Sequence, residues 1–257
     1  MRLHVHEFGP GAGRTVVALH GVTSSALGLR RLAERLPGYR IVAPDFRGHG
    51  SSGTNPPWDL SVHLRDLRET LDRLGIAQAP FIGFSFGGRI AVELVAAERS
   101  RVERLVLLEP ALQVDPGRAA ASADALLTDT SYGSTEEAID ARIASGWSPY
   151  APREHWERWS EQLITGIDGR LRLPFSRAAA IAIYGELTTP PPPFDVLRLP
   201  TLLVLGSEST LVTPRQLERY RYDLGDYLEV KTVRAKHQVI GDAADEVAAA
   251  IGAFLAR

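Results

Sequence analysis

Six short β-rich runs punctuate this sequence, separated by longer amphipathic stretches: TVVALHG (15–21), YRIVAPDFRG (39–48), APFIGFS (79–85), RLVLLEPA (104–111), TLLVLGS (201–207) and YLEVKTV (227–233). The runs are apolar at consecutive positions, so each strand must be covered on both faces. Strands of that kind joined by helical crossovers form a mostly parallel central sheet flanked by helices, an α/β architecture. The N-terminal MRLHVHEF alternates polar and apolar residues and reads as a first strand. One crossover is legible in detail. Leu64, Leu67, Leu71 and Leu74 form a single helical stripe, with Ser61 as its cap and Gly75 as its stop. The closing DEVAAAIGAFLAR is another helix.

The rhythm breaks after position 112, where helix patterns continue without a convincing strand. Ser134 and Glu137 are spaced as a capping box, and Trp156, Trp159 and Leu163 make a helical stripe that reads as packing within this segment. The segment ends at TTPPPPF, whose prolines enforce an extended connection before the sheet resumes. The expected organisation is a core of residues 1–112 and 197–257 interrupted by a helical cap at 113–196.

Composition narrows the chemistry. At 257 residues and 44% hydrophobic, the chain can build one large core. A net charge of −2 provides no strong attraction for nucleic acid or an anionic membrane, so the expected partner is a small uncharged molecule. Cysteine is absent, which leaves Ser, Thr, Lys or a carboxylate for covalent chemistry. No apolar run could cross a bilayer and the N-terminus lacks a secretory pattern, so a cytoplasmic location is expected. Nothing points to a cofactor. His4 and His6 share a strand face, but without an evident third ligand they read as surface residues rather than a metal site.

The stretch FIGFSFGG (81–88) places Ser85 between glycines at a strand end, ahead of the helix pattern GRIAVELVAAE. A G-x-S-x-G turn in that context exposes a serine where helical N–H groups can meet a developing oxyanion. A serine hydroxyl needs a base, and His237 lies in the loop between the last strand and the last helix.

LHG (19–21), DFRGHGSS (45–52) and FIGFSFGG together resemble the α/β-hydrolase superfamily, over nearly all of the sheet-forming sequence. The resemblance implies an α/β-hydrolase fold with Ser85 as nucleophile, His237 as general base, and the backbone N–H groups of Val22 and Phe86 as the oxyanion hole. It also implies that His20, His49 and Asp45 brace their loops. The family most often places an aspartate after the strand that here reads TLLVLGS, but Ser209 and Thr210 occupy those registers. Two glutamates could replace it: Glu109, at the end of LVLLEPA and favoured by branches with the acid there, and Glu208. His63 and His155 read as exposed helix residues. Phe84, Trp147 and Tyr150 are expected to line an apolar pocket under the cap. The expected activity is carboxylesterase-like cleavage of a small or medium apolar or aromatic ester. A carbon–carbon bond hydrolase of diketones is the enzymatic alternative. A non-catalytic ligand receptor, motivated by the missing aspartate, is the other. Oligomeric state stays open.

Overall fold

The computed structural model describes all of residues 1–257. Its centre is a seven-stranded sheet built from β1 (Val5–Phe8), β2 (Arg14–Leu19), β3 (Tyr39–Pro44), β4 (Ala79–Phe84), β5 (Val102–Leu108), β6 (Thr201–Gly206) and β7 (Leu228–Val233). The spatial order is β1-β3-β2-β4-β5-β6-β7, parallel throughout except for β1, which pairs antiparallel with β3 at the edge. The main helices are α1 (Leu60–Arg73), α2 (Phe86–Ala97), α3 (Pro116–Ala125), α4 (Thr135–Ala144), α5 (Arg153–Ser160), α6 (Arg177–Glu186), α7 (Pro214–Leu224) and α8 (Ala244–Leu255).

The consecutive apolar residues of the strands divide between two layers. Val17, Leu19, Phe81, Leu105, Leu107 and Leu203 enter one core with α1 and α2, while Val16, Ala18, Ile82, Val106, Leu202 and Val204 enter the other with α8. Each fully buried aliphatic side chain contributes roughly 1.5–3 kcal/mol. That double burial is why these strands carry no alternating pattern.

In α1, Leu67 and Leu71 are buried, and Gly75 follows the helix at φ +68°. The cap differs from expectation. Asp59 accepts the N–H of Val62 at 3.0 Å, and Ser61 sits inside the first turn with its hydroxyl on Asp59. Asp and Ser are nearly equivalent caps, and the residue that meets the first free N–H groups wins.

Residues between β5 and β6 form helices α3 to α6 plus a two-stranded ribbon, Ile164–Thr165 against Leu171–Arg172, that the helical patterning does not anticipate. Strands of two residues carry no periodicity. At α4, Ser134 accepts the N–H of Glu137 at 3.1 Å as expected, but the Glu137 carboxylate takes the N–H of Gly133. Where this segment departs from and rejoins the body, the guanidinium of Arg89, 2% exposed in α2, donates to the carbonyls of Leu112, Thr189 (2.9 Å) and Pro190 (3.0 Å).

Candidate active site

Ser85 joins β4 to α2 at φ 53° and ψ −115°, a conformation ordinary side chains avoid. Its neighbours must be glycines because the chains meet there. A Cβ on Gly83 would lie 2.6 Å from the carbonyl oxygen of Gly87, and one on Gly87 would lie 2.2 Å from that of Leu19. The serine hydroxyl is therefore lifted above the sheet at the N-terminus of α2, where the helix dipole favours negative charge.

His237 follows β7, and its Nε2 stands 3.1 Å from Ser85 Oγ. Its Nδ1 stands 3.3 Å from Glu109 Oε2, at the end of β5. The fold thus gathers Ser85, His237 and Glu109 at the carboxyl ends of β4, β5 and β7. Glu109 is 1% exposed and also sits at positive φ, 43°. Its Oε1 accepts the N–H of Gly206 at 2.7 Å, and its Oε2 accepts the hydroxyl of Ser209 at 2.5 Å. Ser209, at a register where an aspartate was expected, thus helps hold the glutamate that faces the histidine. This contact joins residues 100 positions apart, and no local pattern announces it. Glu208 turns away, its carboxylate receiving the hydroxyl of Tyr150. The missing aspartate that motivated a receptor reading is matched here by a buried carboxylate from another strand.

The backbone N–H of Val22 donates to no protein acceptor, and that of Phe86 is the first of α2, where the helix supplies no partner of its own. Gly21 brings the Val22 loop against the serine: a Cβ there would lie 3.2 Å from Ser85 Cβ. His20 accepts the N–H of Phe46 at Nε2 (3.0 Å) and donates from Nδ1 to Gly21 O (2.8 Å). The ring nitrogens of His49 lie against the carbonyls of Arg47 and Val22. Asp45 accepts from Ala26 N (2.8 Å) and Ser51 N (2.9 Å). Burial works against its charge, but His6, His20 and these N–H donors hold its carboxyl down at about 2. Asp45 also brings a third potential ligand to His4 and His6, all three offering atoms within 4.8 Å of one another, although its oxygens already anchor the loop.

A cavity of about 190 Å³ opens above Ser85 and His237. Phe84 lines it and stacks on His237 with ring centroids 5.1 Å apart, and Trp147 meets the same imidazole edge-on at 6.3 Å. Tyr150 does not line it: its hydroxyl bonds Glu208 and Arg234 lies 4.3 Å over its ring. Trp156 and Trp159, read as packing within the insertion, do pack on each other at 5.9 Å but also form part of the cavity wall. His155 joins that wall, where burial pushes its imidazole down to about 4. His63 is fully buried between Phe46 and Phe86 rather than exposed. Its place four residues before Leu67, on the apolar stripe of α1, was the available signal.

Residues 14–148 match the alpha/beta hydrolase fold family. The chain is 33% identical over 210 residues to lipase LipV of Mycobacterium tuberculosis, spanning 82% of this chain and 77% of that one. It is 26% identical to N-formylmaleamate deformylase of Pseudomonas putida, over 99% of this chain and 93% of the relative. The solved structure of E-2-(acetamidomethylene)succinate hydrolase shares the fold, with a TM-score of 0.86, 22% identity, and coverage of 99% of this chain and 95% of that one. On the sheet order, the turn at Ser85 and these likenesses together, the chain belongs to the alpha/beta hydrolase fold family and is a hydrolase.

Proposed function

We propose that the protein is a serine hydrolase that cleaves a small carboxylic ester through an acyl-enzyme on Ser85. The observation that carries the reading is the unbroken line from Ser85 Oγ to His237 (3.1 Å) to Glu109 (3.3 Å), beneath a cavity sized for a small substrate. His237 Nε2 takes the hydroxyl proton as the oxygen attacks the acyl carbon, then returns it to the leaving alcohol. Glu109 keeps Nδ1 protonated and stabilises the imidazolium. The N–H groups of Val22 and Phe86 receive the oxyanion, where each good donor is worth roughly 3 kcal/mol in the transition state. Water, activated by the same histidine, then releases the acid. Residues 113–196 serve as a cap that shields the acyl-enzyme.

The relationship to a lipase supports acyl transfer to water, and the deformylase extends that chemistry to an N-acyl bond, which the same relay can break. An ester assayed beside an N-formyl amide separates the two. The decisive experiment is rapid mixing with p-nitrophenyl acetate. A burst stoichiometric with enzyme is expected, together with covalent labelling of Ser85 by an organophosphonate. Ser85→Ala should lose both, with kcat reduced by at least on the order of 10⁴. Full activity in Ser85→Ala ends the proposal.

A further inference from the structure

The cavity over Ser85 has an electrical asymmetry that a neutral ester does not explain. Among the residues lining it there are two arginines, Arg118 and Arg142, and no aspartate or glutamate. The chain as a whole carries a net charge of −2, so this is a local excess of positive charge against the overall balance.

Arg142, on α4, is the more informative of the two. Its Nε is buried and has no hydrogen-bond partner, one of few such side-chain atoms in the molecule. Its guanidinium lies over the Trp159 ring, 5.1 Å from the centroid, so the side chain is held against an aromatic wall. The titratable group that bears on it is the phenol of Tyr132, not a carboxylate. Burial draws its proton affinity down, yet a guanidinium stays charged at neutral pH. Arg118, at the start of α3, donates to the carbonyl (3.0 Å) and hydroxyl (3.2 Å) of Thr210 and likewise has no carboxylate partner. A guanidinium that is partly buried and has no carboxylate partner gains most from an anion that completes it. The planar fork of arginine is completed best by a carboxylate.

We infer that the natural substrate carries a free carboxylate besides the bond that is cleaved, and that Arg142 seats it within the cavity while Arg118 adds positive charge to the same wall. Arg142 is a specificity-determining residue in this account, and it replaces the uncharged partner expected from composition with an anionic one. The inference rests on the serine hydrolase reading for its chemistry, but the binding it describes stands apart from turnover.

The test compares monoethyl succinate with ethyl butyrate, which share a leaving group and differ in one carboxylate, by acid release at constant pH. In the wild-type protein kcat/KM should favour the hemiester by at least about 10-fold, and Arg142→Met should lower that ratio by about 10- to 100-fold, mainly through KM, the range expected when a charged hydrogen-bond partner is removed. Arg142→Lys should recover only part of the ratio, and it carries the same readout where Arg142→Met does not fold. A wild-type ratio near one, or a ratio unmoved by both substitutions, overturns the inference. Organophosphonate labelling of Ser85 reports the hydrolase reading separately, since it does not depend on substrate charge. Where labelling fails, titration of Ser85→Ala with succinate, followed by the fluorescence of the cavity tryptophans, still decides the matter. Saturable change supports the inference and no change overturns it.

Discussion

Ser85 and Glu109 are the only residues other than glycine with positive φ in this chain, at 53° and 43°. Each such residue stores roughly 1–3 kcal/mol of strain that the surroundings must hold in place. For Glu109 the restraint is visible: its own N–H bonds the carbonyl of Val204 at 2.9 Å while Gly206 and Ser209 hold its oxygens. The carboxylate therefore has little freedom to leave His237. Glu109→Gln should lower kcat on the order of 10⁴, by analogy with loss of the acid in a serine triad, while Glu208→Ala should stay within a few-fold of wild type; steady-state ester kinetics on both variants check this. At this scale the sequence announced what the motif carries. Ser85 and His237 were placed by spacing and loop position. Glu109 had to compete with Glu208, because nothing local tells which glutamate faces inward. The role of Ser209 and the outward turn of Tyr150 depend on side chains from separate strands and helices, which one-dimensional patterning does not relate.

At the scale of elements, the elbow between β4 and α2 depends on the absence of side chains as much as on the presence of one. Alanine suits a helix better than glycine by about 1 kcal/mol, but at Gly87 the added methyl would meet the Leu19 carbonyl oxygen at 2.2 Å. Backbone contact of that kind cannot relax by a rotamer change. Gly87→Ala should therefore destabilise by about 3 kcal/mol, read as a lower urea midpoint, with the ester activity of the remaining folded protein reduced as well. The six β-rich runs were legible because burial on two faces leaves a continuous apolar signature, and the turn at Ser85 because its glycine spacing is local. The ribbon at 164–172 was not, and the cap expected at Ser61 falls instead to the near-equivalent Asp59 two residues earlier. His155, read as exposed, is instead partly buried in the cavity wall, and for a different reason. It precedes Trp159 by four residues and shares its stripe, but only the placement of α5 over the sheet turns that stripe into a cavity wall.

For the molecule as a whole, the buried histidines set a response to acid. Burial pushes His20 and His49 down to about 4 and His63 to about 3, all below the ordinary value of 6.5. The unfolded chain therefore takes up protons that the folded chain refuses. The stability tied to these groups is complete above about pH 6.5 and is lost as pH falls toward 4. Thermal unfolding should give a Tm that changes little from pH 7 to 8 and falls steeply between pH 6.5 and 4. His63→Phe should flatten that fall, because His63 has no hydrogen-bond partner to lose and packs edge-on between Phe46 and Phe86. The overall architecture was readable from strand spacing, whereas the burial of His20 and His49, in loops without periodicity, carried no pattern, and that of His63 showed only in its place on the α1 stripe.

Arg89 ties the segment between β5 and β6 to the helix that begins after Ser85, with carbonyls from Leu112 on one side and from Thr189 and Pro190 on the other. Both ends of that segment are thus anchored to a single guanidinium inside the body. In the proposed enzyme, a swing about those two points would have to break the Arg89 hydrogen bonds, whereas flexure farther out, among α3 to α6, would not. Passage of the proposed substrate and its products by that route would leave α2, the helix behind Ser85, undisturbed.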